Sequence, residues 1–138
     1  MLTEYAALKF IHIFIAVVAL GTSACLGIVL EFFSDHPVHG PYVLRMIRRL
    51  TALVVMPGYV LMLVTGAWLA HLSWSFTTPW IQASLGLWVA GAVFLGLTAA
   101  ALRRERVFLA RAFGGGTGLV IVTILYFMVV KPAGLLPG

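Results

Sequence analysis

The chain has 138 residues, of which 62% are hydrophobic and 9% are charged, and its formal net charge is +5. A soluble domain of this size has too high a surface-to-volume ratio to bury so much apolar surface, so the composition excludes one and indicates a protein solvated by lipid. The positive charge alone would suit a nucleic-acid partner, but the arginines lie between apolar segments, which is typical of a membrane topology signal instead.

Four apolar segments are long enough to cross a bilayer, because a transmembrane helix needs about 20 residues. We predict these helices at about 6–30, 50–72, 79–102 and 117–135. A membrane strand would need alternating polarity, and these segments do not alternate. The sequence therefore predicts an all-α fold in which residues 1–138 form a single transmembrane domain, an integral membrane four-helix bundle.

The first predicted helix contains His12, a titratable ring inside an apolar run. Ionisable groups within hydrocarbon are costly and mark a functional site by default. On a helical wheel His12 shares one face with small residues, namely Ala16, Ala19, Ser23 and Gly27. Small residues let another helix approach closely, so we expect His12 to face protein. Its open chemistries are cofactor or metal ligation, proton transfer and a structural hydrogen bond.

Seven of the nine basic residues lie in two of the three connections between helices: Arg45, Arg48, Arg49, Arg103, Arg104, Arg106 and Arg111. The positive-inside rule places these connections in the cytoplasm and both termini outside, in the periplasm if the protein lies in a bacterial inner membrane. Residues 41–49 form an interfacial amphipathic segment. The arginines should attract anionic lipids, and Glu31 at the same boundary should cap its helix or pair with a nearby arginine.

The second predicted helix contains Pro57, which should kink it. Gly58, Met62, Thr65 and Gly66 share a face suited to helix contact, whereas His71 lies on the opposite face. His71 and His12 fall in the same outer half of the membrane. Their depths differ by about 8 Å or more from helix rise, so we expect His71 to be interfacial.

The last two helices supply further polar candidates. Gln82 lies one turn inside the third helix, where it could bond to His12 or to a ligand. The glycine run 114–118 lacks the residues of a phosphate-binding loop and indicates a flexible start to the fourth helix. That helix carries Met128, whose thioether is a candidate axial ligand, and Lys131, which can snorkel to the outer interface.

Several short motifs resemble a group of small bacterial membrane proteins. The group includes the four-helix-type protoporphyrinogen oxidase, the membrane domain of copper-resistance D proteins, and an uncharacterised family of predicted integral membrane proteins, which the third helix resembles most closely. Together the motifs cover about the first hundred residues. They are Leu8-Lys9-Phe10-Ile11-His12-Ile13, Arg48-Arg49-Leu50, Met56-Pro57, Thr65-Gly66-Ala67-Trp68-Leu69 and Pro79-Trp80-Ile81-Gln82-Ala83-Ser84-Leu85.

The resemblance to the oxidase implies that His12 binds haem b, because His12 matches the haem-linked histidine of the oxidase's first helix. The oxidase has a histidine and a lysine early in its third helix, where this chain has Gln82 and Ser84. A second ligand would then come from His71 or Met128, Gln82 would contact the cofactor, and Lys9 or Lys131 would hold the propionates. His12 and His71 are the candidates for a bound metal ion.

Two functions follow from these observations. In the first, the chain is a haem-linked oxidoreductase or electron carrier that acts on a porphyrin or quinone. In the second, it is a non-catalytic membrane subunit or assembly partner in which His12 bonds to Gln82 or Ser23. The small-residue faces are compatible with a homo-oligomer or a larger complex. A small dimeric transporter has less support, because the sequence lacks an acidic midplane residue and a pair of broken helices.

Overall fold

The computed structural model describes residues 2–130, and these form five α-helices. The helices are α1 (Leu2–Phe33), α2 (Gly40–Leu50), α3 (Met56–Ser73), α4 (Pro79–Arg103) and α5 (Val107–Val130). A π-helical turn, Thr51–Val55, joins α2 to α3 without a break. No strand occurs within this described range, so the predicted all-α fold is confirmed.

Four helical stretches are long and apolar enough to cross a membrane: α1, the continuous α2–α3 segment, α4 and α5. The 32 residues of α1 rise by about 48 Å, against a hydrocarbon core of about 30 Å. Its ends therefore reach past the hydrocarbon. The predicted number of spans is confirmed. We call the end that carries the α1–α2 and α4–α5 connections the basic end, and the opposite end the N-terminal end.

The fourth span begins earlier than predicted. Instead of a flexible start at 114–118, α5 begins at Val107 and continues through the whole glycine run. Glycine breaks helices in water, but in lipid an unpaired backbone group is far more costly than a helical glycine. The glycines also let α4 approach: a Cβ at Gly116 would lie 3.0 Å from Phe94 Cδ1. Residues 131–135 of the predicted segment lie outside the described residues.

The π-helical turn accommodates Pro57, which was predicted to kink the second span. The backbone N–H of Met56 bonds to the carbonyl of Thr51, five residues earlier. A proline ring clashes with the carbonyl four residues before it in a regular helix, and a π-turn changes the path of the backbone at that point. The amphipathic segment 41–49 lies within α2, whose arginines are exposed while Ile47 is buried.

The bundle consists of two closely packed helix pairs, α1 with α3 and α4 with α5. In the first pair, a Cβ at Gly58 would come within 2.5 Å of the Ala19 Cβ, so only glycine fits there. The buried apolar core lies mainly toward the basic end and includes Leu26, Leu30, Ile47, Val55, Leu95, Leu102 and Ala110. The outward faces of the spans expose large apolar side chains, as lipid contact requires.

Candidate functional site

His12 is half-buried between α1 and α3, about 15 Å along α1 from its first residue. Its ring nitrogen Nδ1 lies 2.6 Å from the hydroxyl oxygen of Thr65 on α3. The next residue, Gly66, makes room for the ring, since a Cβ there would lie 3.2 Å from His12 Cε1. His12 therefore packs against the face of the second span that was predicted to contact another helix. The hydroxyl of Thr65 and the absence of a side chain at Gly66 together position the imidazole.

The hydrogen bonds of Thr65 favour the tautomer of His12 that is protonated at Nδ1. The Thr65 hydroxyl lies 2.8 Å from the carbonyl oxygen of Leu61 and 3.3 Å from that of Met62. A carbonyl only accepts, and when the single hydroxyl proton is donated along α3, Thr65 accepts a hydrogen bond from the Nδ1–H of His12. The other ring nitrogen, Nε2, then carries a free lone pair. Nε2 has no hydrogen-bond partner among residues 2–130, and this atom is not fully buried.

None of the other predicted ligands forms a hydrogen bond with His12 in the described residues. His71 is exposed and lies six residues beyond Thr65 on α3, about 9 Å closer to the N-terminal end. Gln82 lies on an exposed face of α4, and Met128 is 36% exposed near the end of α5. The expectation that His12 bonds to Gln82 or Ser23 is wrong, because its partner is Thr65. Wheel positions gave the faces of these residues but not the register between helices.

Of the two lysines expected beside a cofactor, only Lys9 belongs to the described residues. Lys9 is exposed, one turn from His12 toward the N-terminal end. Lys131 lies outside the described residues. Within the described part of the chain, no group of three or more histidine, cysteine or acidic side chains comes close enough to hold a metal ion. The metal-ion prediction for His12 and His71 therefore finds no support in the packing.

A second polar layer joins α3 to α4, and sequence analysis missed it. The Tyr59 hydroxyl donates to the carbonyl of Trp88 at 2.9 Å, and the Trp88 indole N–H donates to the carbonyl of Tyr59 at 3.3 Å. The two rings are stacked, with centroids 5.0 Å apart, and Gly91 leaves space for the Tyr59 hydroxyl. The available signal was the position of Trp88, nine residues inside α4, too deep for a boundary aromatic.

At the basic end, Arg111 of α5 binds the end of α1. Its Nη2 donates to Ser34 Oγ and to Asp35 Oδ2, each at 2.8 Å, and to the carbonyl of Glu31 at 3.1 Å. Its Nε lies 3.4 Å from the Glu31 carboxylate. The prediction that Glu31 pairs with an arginine is confirmed. Arg111 caps helix carbonyls that would otherwise lack partners, so its role is structural.

A cavity of about 60 Å³ lies among α1, α2, the π-helical turn, α4 and α5, on the basic side of the bundle. Its lining is mostly apolar, with four hydroxyl residues: Ser23, Thr51, Thr98 and Thr117. Sites for organic ligands usually measure about 300–1,000 Å³, so this cavity has room for a few water molecules only. His12 does not line it.

The fold and these contacts define a class: the protein is a multi-pass helical membrane protein with four spanning segments and two polar helix contacts centred on α3. Residues 6–112 match the family described as predicted integral membrane protein (DUF2269). That match covers more than half of the chain, so the chain belongs to this family, as the sequence motifs predicted. No curated protein and no solved structure matches. Nothing in these comparisons supports the more distant resemblance to the oxidase or to copper-resistance D proteins.

Proposed function

We propose that the chain is a haem-linked redox protein of the bacterial inner membrane in which His12 Nε2 is an axial ligand of haem b. The observation that carries this proposal is the hydrogen bond from His12 Nδ1–H to Thr65, because it leaves the Nε2 lone pair free. A histidine that binds a metal characteristically donates its other ring N–H to a fixed acceptor. An acceptor without a partner in lipid is costly, so a Lewis acid at Nε2 would offset that cost.

The described residues fit one axial ligand and do not fit a porphyrin enclosed by the bundle. The cavity of about 60 Å³ is too small and lies away from His12, so the group would lie on the surface of the α1–α3 pair. His71, Gln82 and Met128 form no hydrogen bond with His12 in the described residues, and a second ligand would come from another copy or another subunit. Lys9 is available for a propionate, with Lys131 as the second candidate. When bound, haem supplies one-electron chemistry, and the chain supplies the ligand and its orientation.

The test is the absorption spectrum of protein purified after expression with added haem. The wild type should show a Soret band, and His12→Ala should lose it. His71→Ala is the matched control, since it removes another imidazole from the same half of the bundle and should keep the band. A wild-type protein that stays monodisperse and helical without a Soret band refutes the haem proposal.

The alternative is a non-catalytic membrane subunit or assembly partner in which His12 only joins α1 to α3. The specific observation in its favour is the 2.6 Å interhelical bond itself, with Gly66 against the ring. This alternative predicts that His12→Leu lowers stability or partner association in a protein that has no cofactor band. Unchanged stability and association in His12→Leu would contradict it.

We further propose that the basic end is cytoplasmic and both termini are periplasmic. The support is the distribution of arginines, because seven of the nine basic residues lie either in α2 or between Arg103 and Arg111, all at the basic end. Alkaline phosphatase fused to either terminus should be active, since that enzyme needs an oxidising compartment. Activity only when it is fused within the α1–α2 connection would reverse the assignment.

A further inference from the structure

A basic groove lies at the membrane surface between α2 and the α4–α5 turn. It measures about 70 Å³ and is lined by Pro41, Leu44, Arg45, Arg48, Leu102 and Glu105. Arg45 and Arg48 are three residues apart on α2, so their side chains lie on one helix face. Both are exposed, and neither has an acidic side chain within 4.0 Å in the described part of the chain. The groove therefore combines two unpaired guanidinium groups with an apolar wall.

The depth of the groove corresponds to lipid headgroups. Counted from Ser73 at the N-terminal end, Arg48 lies about 38 Å and Arg45 about 42 Å along the α2–α3 segment. By the same count from Pro79, Arg103 on α4 lies at about 36 Å. A hydrocarbon core of about 30 Å ends several ångströms before these side chains. Arginines at this level meet phosphates, while Leu102, one residue nearer the hydrocarbon than Arg103, meets the upper acyl region.

Local charge also favours an anion. Four further arginines, Arg49, Arg103, Arg104 and Arg106, directly adjoin lining residues in the chain, and all are exposed and without an ion pair among residues 2–130. The one acidic residue that lines it is Glu105, in the α4–α5 turn, where its φ of 54° is left-handed. Glu105 comes within 4.0 Å of no arginine nitrogen in the described residues, so it reduces the positive potential without neutralising Arg45 or Arg48.

We propose that this groove is a specific site for the phosphate headgroup of an anionic phospholipid. Arg45 and Arg48 donate to the phosphate oxygens, since guanidinium groups bind phosphate through paired N–H donors. Leu102, the lining residue nearest the hydrocarbon, contacts the first acyl carbons, while Pro41 and Leu44 line the headgroup part of the groove. The site would fix one lipid against the helix that leads, through the π-helical turn, into α3.

The experiment titrates purified protein in mild detergent with dihexanoyl-phosphatidylglycerol and measures the heat of binding by isothermal titration calorimetry. A guanidinium that donates to a bound phosphate contributes at least about 1 kcal/mol through that charge-assisted hydrogen bond, beyond the diffuse attraction that every basic residue at the surface supplies. The double variant Arg45→Gln/Arg48→Gln should therefore weaken binding by about 30-fold. The matched control, Arg49→Gln/Arg104→Gln, removes the same charge outside the groove and should change binding only slightly. Glu105→Gln should strengthen it.

Three outcomes would overturn the proposal. Equal losses in the two double variants would mean diffuse attraction rather than a site. Equal binding of dihexanoyl-phosphatidylcholine would remove the requirement for an anionic headgroup. Inorganic phosphate that binds as tightly as the lipid would mean an anion site without lipid recognition. Helical circular dichroism and a single elution peak establish that each variant is folded before it is titrated.

Discussion

Removing the Thr65 hydroxyl tests whether the contact between α1 and α3 contributes to stability. Thr65→Val keeps the shape of the side chain but leaves His12 Nδ1–H without its acceptor at 2.6 Å. Interhelical side-chain hydrogen bonds in membranes contribute about 0.6 kcal/mol on average and up to about 1.7 kcal/mol. The short distance and the half-buried position place this bond in the upper part of that range, so we expect Thr65→Val to lower the free energy of unfolding by about 1 kcal/mol.

Thr123 provides a matched control for this experiment. Its hydroxyl donates to the carbonyl of Leu119 at 2.9 Å, as that of Thr65 does to Leu61, but Thr123 has no interhelical partner in the described residues. Thr123→Val therefore removes the same group and the same type of intrahelical bond without breaking a helix contact. We expect its effect on the free energy of unfolding to be near zero.

The assay is equilibrium unfolding by dodecyl sulfate in mixed micelles, followed by circular dichroism. Measuring His12→Leu, Thr65→Val and the double variant completes a cycle whose coupling energy isolates the bond. A coupling energy below about 0.3 kcal/mol, within the usual error of additivity, would refute the assignment of an energetically significant bond. Equal effects of Thr65→Val and Thr123→Val would refute it independently.

Three further predictions concern the other polar contacts. The ¹⁵N chemical shifts of His12 should show Nδ1 protonated and Nε2 unprotonated in ligand-free protein, and the reverse tautomer would contradict the free Nε2 lone pair. Gly91→Ala should destabilise the fold by about 1–3 kcal/mol by overpacking, because the new Cβ would meet the Tyr59 hydroxyl. Adding Tyr59→Phe should restore part of the lost stability in the same unfolding assay. Arg111→Gln should lower the unfolding midpoint more than Asp35→Asn. The reason is that Arg111 also binds Ser34 and α1 carbonyls, while Asp35 is 74% exposed. Equal effects of the two variants would mean that only the ion pair between Arg111 and Asp35 contributes to stability.

The number of spans and the contact face of the second span were predictable because lipid imposes simple rules. Apolar length alone marks a span, and small residues at helical spacing mark a contact face, which placed Thr65 and Gly66 correctly. The glycine run 114–118 was misassigned because rules for turns come from water, where a broken backbone hydrogen bond is replaced by solvent. In lipid no such replacement exists, so α5 stays helical there.

The partner of His12 could not be predicted, because it depends on the register between α1 and α3. That register is set by the length of the α1–α2 connection, by α2 and by the π-helical turn, and a shift of one helical turn moves a side chain by about 5.4 Å. Such a shift decides between Thr65 and any neighbouring polar group. Gln82 and His71 were reasonable by depth and by chemistry, but both are exposed.

If haem binds at His12 as proposed, the hydrogen bond of His12 would also link ligand binding to helix packing. A Lewis acid at Nε2 would withdraw electron density from the ring and make Nδ1–H a stronger donor, which would strengthen the bond to Thr65. Such a coupling is reciprocal. If the contact between α1 and α3 through Thr65 raises the affinity for the ligand by some factor, the bound ligand favours that contact by the same factor. Thr65→Val should therefore weaken haem affinity, as metal-site outer-shell variants do by about 10–100-fold, and it should reduce the stabilisation that added haem gives. If haem affinity falls while that stabilisation is unchanged, Thr65 does not couple the two processes.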